Sequence, residues 1–174
     1  MYLDDCQVTF KTYYKFIRII INNMNIKIRK EYKEILHKIE HIFINYDTTK
    51  ADNLMKIINM SELKDKFNCI DYWNNFKPND KKPYSILNTD ASQEGVGIHW
   101  VGVFQYMKTI YIYDSFGRKN IMFRFCKDMK NQGFKCIYVN KQGDQSNTQI
   151  NCGIRSLLWV LFVDKYGIKE ARKI

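Results

Sequence analysis

The sequence predicts an α+β domain: a small mixed β-sheet packed around a central helix, with a helical extension at the N-terminus. Three observations carry this expectation. Ile28, Tyr32, Ile35, Ile39 and Ile42 recur every three or four positions, the spacing of one helical face. From Pro83 onward the texture changes to short apolar runs broken by turn residues, as in strands joined by tight connections. Near the end, Gly153 to Tyr166 reads as a helix that is apolar nearly all round, and such a helix belongs at the centre of a domain.

Taken in order, residues Phe10 to Ile44 carry the first helical pattern, with Lys30, Lys33, Glu34, Lys38 and Glu40 on the opposite, solvated face. Asp47-Thr48-Thr49-Lys50 breaks it. A short helix follows over Leu54 to Ile58, and Ser61 is placed to cap another over Glu62 to Phe67. The expected division is therefore a helical N-terminal extension over residues 1–54 and the main domain over residues 55–174. Tyr84 to Asn88 reads as a strand, followed by a loop at Ser92 to Gly97. Ile98 to Tyr106 and Thr109 to Asp114 form a predicted hairpin turning at Met107-Lys108 and ending at Phe116-Gly117. Ile121, Met122, Phe125 and Met129 keep helical spacing up to a stop at Gly133. Lys135 to Val139 is a further strand, Lys141 to Asn151 a polar loop, and Gly167 ends the apolar helix.

At 174 residues the chain can bury a proper core. Its 45% hydrophobic and 15% aromatic content, with only 2 prolines, excludes a disordered tail or linker. The longest apolar runs, Ile19 to Ile21 and Leu157 to Val163, fall far short of a bilayer of ~30 Å, so a soluble protein without a membrane partner is expected. A net charge of +10 favours encounters with polyanions, either nucleic acid or an acidic membrane surface. An AT-rich coding bias would produce the same excess of Lys, Asn and Ile. The five cysteines are odd in number and include no CxxC pair, which argues against a disulfide framework or zinc knuckle and for a reducing compartment.

Four residues carry chemistry. Cys152 opens the apolar helix, where the helix dipole and free backbone N–H groups favour a thiolate, and Gly153 leaves room for a carbonyl to approach. Buried cysteines are more often inert packing. His99 begins a strand and titrates near neutral pH, as a general base must. A lone histidine bonded to backbone is the plainer account. Asp114 ends the partner strand of the predicted hairpin, within reach of His99, where it can hold the imidazole tautomer. Asp at a strand end is otherwise an ordinary turn residue. Gln145 precedes Cys152 by seven residues, and its amide with the Cys152 backbone N–H would make an oxyanion hole. The same polar loop also offers Gln142 and Gln149.

The ordered set is more specific than its members. Ile86-Leu87-Asn88-Thr89, Gly95-Val96-Gly97-Ile98-His99-Trp100, Tyr113-Asp114-Ser115-Phe116-Gly117, Gln145 and Asn151-Cys152-Gly153 together resemble the adenovirus maturation protease family. More loosely they resemble the proteases of SUMO and ubiquitin-like proteins. The resemblance covers about Met60 to Gly167, and residues before about Leu54 have no counterpart in it. It implies a cysteine endopeptidase with a papain-like arrangement: Cys152 as nucleophile, His99 as base, Asp114 as its orienting acid and Gln145 as oxyanion donor. It further implies capsid or core precursor proteins as substrates during virion maturation, a monomer, and a place in the virion and infected cell. No cofactor is required for the chemistry, but DNA or a released virion peptide would act as activator. Cys136 or Cys126 would tether that peptide, although a packed strand or helix cysteine is the plainer account of each.

Other readings remain open. A peptidase for ubiquitin-like modifiers would use the same chemistry. A basic nucleic-acid-binding scaffold would not need Cys152, and an acetyltransferase would need coenzyme A. His37-Lys38-Ile39-Glu40-His41 matches the inverted zinc-protease pattern, yet no third ligand follows it and its neighbours suit a solvated face.

Overall fold

A computed structural model describes residues 30, 32–37, 50–59, 61–92, 99–140, 142–146 and 150–174. Most of the expected Phe10–Ile44 helix lies outside these residues, as do Cys6, Glu40, His41, Gln149 and the Gly95–Ile98 stretch. Residues 30 and 32–37 are helical.

The fold is α+β, built on one five-stranded mixed sheet in the order β1-β2-β3-β4-β5. The strands are β1 (Phe67–Tyr72), β2 (Tyr84–Asn88), β3 (Trp100–Tyr106), β4 (Thr109–Tyr113) and β5 (Lys135–Tyr138). The outer pairs β1–β2 and β4–β5 are parallel, whereas β2–β3 and β3–β4 are antiparallel. The helices are α1 (Ala51–Asn59), α2 (Phe123–Asn131), α3 (Cys152–Tyr166) and the short α4 (Ile168–Ala171).

Period-2 alternation sorts the strand residues onto two buried faces. Leu87, Val101, Val103, Ile110 and Ile112 face a core shared with Met122, Phe125 and Met129 of the α2 region. Ile86, Trp100 and Tyr113 face the other core, which contains α3. Gly102 also lies on the α3 side: a Cβ there would come within 2.9 Å of the Trp159 ring and 3.0 Å of the Ser156 carbonyl. The missing side chain lets β3 approach the helix closely, and the Ser156 hydroxyl donates to the Trp100 carbonyl at 3.1 Å. Trp159 stacks on Tyr113 with centroids 5.5 Å apart. Tyr32, Ile35 and Leu36 are buried in this same α3 core, with Tyr32 edge-on to Phe162 at 5.5 Å.

One segment departs from the expected elements. The helix predicted over Glu62–Phe67 is a 3-10 turn at Lys64–Lys66, followed at once by β1. Ser61 does act locally, accepting from the Leu63 N–H at 3.1 Å. The stretch Phe67-Asn-Cys-Ile-Asp-Tyr lacks strong helix formers, and pairing along β2 outweighs what local propensity remains. Gly133 and Gly167 take positive φ of 83° and 77° where the sequence predicts stops.

A candidate active site at the start of the central helix

Strand register brings the first two site residues together. Gly102 on β3 pairs with Tyr113 on β4, so His99, just before β3, and Asp114, just after β4, leave the sheet side by side. His99 Nε2 lies 2.6 Å from Asp114 Oδ1, and the two side chains are 3% and 1% exposed. The His99 carbonyl accepts the Thr89 N–H at 2.9 Å, which ties this segment to the end of β2. Phe116 covers the imidazole, with ring centroids 5.0 Å apart.

Asp114 sits in a shell of donors. Oδ1 also accepts the Phe116 N–H at 3.1 Å, and Oδ2 accepts the Arg118 N–H at 2.8 Å and its Nε–H at 3.3 Å. The Asn140 amide clamps the backbone, donating to the Asp114 carbonyl and accepting its N–H at 3.2 Å. Burial alone would raise the carboxyl pKa. The His99 hydrogen bond and charge, with the Arg118 and Phe116 N–H groups, hold it below its ordinary value instead. An ionised Asp114 takes the proton on Nε2 of the neutral imidazole, which makes Nδ1 its acceptor nitrogen.

That Nδ1 is the one buried side-chain nitrogen or oxygen among the described residues that makes no hydrogen bond. Cys152, the first residue of α3, is buried and close enough for imidazole and thiol to shift each other. Burial pushes the imidazole down, but the Asp114 bond and the Cys152 thiol outweigh it, and the His99 pKa rises. Burial likewise pushes the thiol up. The neighbouring His99 imidazole and the backbone N–H groups of Trp100 and Gly153 prevail, and the Cys152 pKa falls. Opposite shifts of this kind widen the pH range in which thiolate and imidazolium coexist.

Gln145 is buried beside this group. The Ser115 hydroxyl donates to its Oε1 at 2.6 Å, and the Ser115 carbonyl accepts the N–H groups of Asp144 and Gln145 at 2.8 and 3.0 Å. Oε1 is the accepting end of this amide and the NH2 its donor end. Ser115 follows Asp114 directly, so one turn carries the orienting acid and anchors the glutamine. Gln142 is exposed.

His99, Asp114 and Cys152 thus form one cluster, with Gln145 attached through Ser115. Ser115, Asn140 and Arg155 bond to this group or to the residues beside it, and residue-by-residue reading passes over them. Arg155 did carry a signal, as a cation among apolar residues early in the central helix. A cleft of about 330 Å³ lined by Trp73, Thr89, Ile121, Met122 and Phe123 holds none of the four site residues and adjoins them through Thr89. For the zinc pattern, His37 is exposed and its partners lie outside the described residues. The described residues contain no cluster of three or more His, Cys, Asp or Glu side chains able to hold a metal.

Comparison with protein-family models, with curated proteins and with solved structures finds no match.

Proposed function

We propose that this protein is a cysteine endopeptidase in which Cys152, His99, Asp114 and Gln145 act together in acyl transfer. The observation that carries the reading is the buried chain Asp114–His99–Cys152. In it a carboxylate holds one imidazole nitrogen, the other is left over, and the neighbouring thiol is shifted toward thiolate. A packing cysteine or a structural histidine has no need of this combination.

In the proposed reaction the Cys152 thiolate attacks a peptide carbonyl carbon. The oxyanion is held by the Gln145 amide and the Cys152 backbone N–H, at a helix end where the first-turn N–H groups lack intrahelical acceptors. His99 gives the Nδ1 proton to the leaving amine as the C–N bond breaks, and the acyl group remains as a thioester. His99 then takes a proton from water, which attacks the thioester, and the thiolate is regenerated.

The resemblance extends the proposal to viral precursor proteins as substrates, within the virion and infected cell, with DNA or a virion peptide as activator. The charge of +10 supports a DNA partner. Among the described residues no helix is long and apolar enough to cross a membrane.

The test is cleavage of a proteome-derived peptide library, read by mass spectrometry, with and without duplex DNA and with Cys152→Ala and His99→Ala as controls. Cleavage that needs both residues is expected. A peptide ending in two glycines before the scissile bond separates processing of ubiquitin-like modifiers from endopeptidase activity. Absence of Cys152-dependent cleavage under every condition, with no preferential labelling of Cys152, would sink the proposal.

A further inference from the structure

Arg155 is nearly fully buried, its side chain 3% exposed, one turn beyond Cys152. A guanidinium is costly to bury, and it remains where several acceptors meet it in fixed geometry. Its Nη1 donates to the Asp144 carbonyl at 2.6 Å and lies 3.3 Å from Asp144 Oδ2, and its Nε donates to Asn151 Oδ1 at 2.8 Å. Asp144 precedes Gln145, and Asn151 precedes Cys152. One side chain therefore grips the residue before each of the two groups assigned to the oxyanion.

The grip continues away from the site. The Tyr113 hydroxyl bonds the Asp144 carboxylate at 2.8 and 2.9 Å, and the Tyr32 hydroxyl lies 2.9 Å from that of Tyr113. Tyr113 belongs to β4, and Tyr32 to the helical segment near the N-terminus. Burial and the nearby Asp144 charge hold both phenols well above their ordinary pKa, so they stay protonated as donors.

We infer that Arg155 is a positioning residue for the oxyanion donors, a strut that sets the Gln145 loop against the start of α3 and is itself braced through Asp144, Tyr113 and Tyr32. This rests on the acyl-transfer reading and adds to it a task for the N-terminal segment. The strut leaves the thiolate–imidazole pair alone and acts where a tetrahedral intermediate puts its negative charge. Two reactions of Cys152 separate those roles. Alkylation by iodoacetamide needs the thiolate and forms no oxyanion, whereas acylation by p-nitrophenyl acetate passes through one.

Both rates are measured on the full chain for the native protein, Arg155→Met, Asp144→Asn, Tyr32→Phe, Gln145→Ala and the Arg155→Met/Gln145→Ala pair. Arg155→Met is expected to keep alkylation within about twofold and lose about 10²-fold in acylation, the scale of one oxyanion donor. Asp144→Asn and Tyr32→Phe lose less, in that order. In the Gln145→Ala background Arg155→Met costs clearly less than in the native protein, because part of its effect passes through the Gln145 amide that is already gone. Acylation within about twofold of native in a folded Arg155→Met protein overturns the inference, as does full additivity in the double variant. Should Arg155→Met fail to fold, Asp144→Asn decides on the same criterion. A native protein whose Cys152 neither alkylates early nor acylates refutes the acyl-transfer reading instead.

Discussion

At the scale of single residues, the site is a set of offsets between burial and charge. Asp114 and Cys152 lie below their ordinary pKa values and His99 above its own, each against the push of burial. The signs define three pH windows. A depressed Asp114 stabilises the fold above about 3.9 and loses that contribution as pH falls through its lowered pKa. A raised His99 contributes fully below about 6.5 and loses it as pH rises through its raised value. A depressed Cys152 contributes above about 8.5 and loses it as pH falls through its own. Site-resolved alkylation reads the pair directly. Cys152 is expected to react at lower pH than Cys69, whose thiol burial pushes up, and than Cys136, raised by donating to Cys126. Cys126 is lowered by that same bond, so it also reacts early. His99→Ala separates the two: Cys152 loses its advantage and shifts above the ordinary thiol range, while Cys126 is unchanged. A Cys152 profile indifferent to His99 would remove the pair.

At the scale of elements, the site depends on two close backbone approaches. Gly117 has φ of 64°, and a Cβ there would collide with backbone atoms of Gln142 and Gly143. Gly143 returns the contact, where a Cβ would come within 2.6 Å of the Phe116 carbonyl. The turn after β4 and the start of the Gln145 loop therefore cross backbone to backbone. That crossing holds Asp114, Ser115 and Asn140 in reach of one another. Gly117→Ala brings both a left-handed strain and a collision, and about 2 kcal/mol of lost stability is expected. For a domain of this size that is a fall of about 4–8 °C in the melting temperature, measured by scanning calorimetry. A shift under about 1 °C would mean that the crossing is looser than described. The Gly102 contact with Trp159 and Ser156 does the corresponding service for α3, seating the helix that begins at Cys152 against the strand that His99 precedes.

At the scale of the whole molecule, the sheet separates two cores, and the site lies at the end of the one containing α3. Tyr32, Ile35 and Leu36 join that core, so the segment near the N-terminus packs directly on the helix that begins at Cys152. The chain carries a net charge of +10. If that charge serves a DNA partner, duplex binding measured by fluorescence anisotropy should weaken at least about tenfold between 50 and 200 mM salt and show little sequence preference. No binding at low salt would assign the lysines to coding bias.

The sequence by itself determined the α+β class, the strand grammar after Pro83, the central helix and the candidate nucleophile, base, acid and oxyanion donor. Those features are local: the spacing of apolar residues and the types of side chain that can do the chemistry. His99 and Asp114 could be paired in advance because a hairpin turns sequence separation into a register. The β1 strand was illegible because its own residues favour neither state strongly, whereas β5, equally parallel to its partner, carries Ile137, Tyr138 and Val139. Only the tertiary structure decided that Ser115 holds Gln145, that Asn140 clamps Asp114 and that Arg155 spans Asp144 and Asn151. Apart from Asn151 and Arg155, which lie one helical turn apart, these partners come from different segments, and no spacing rule relates them. What brings them together is the close approach of backbones at Gly102, Gly117 and Gly143, which depends on how whole elements pack.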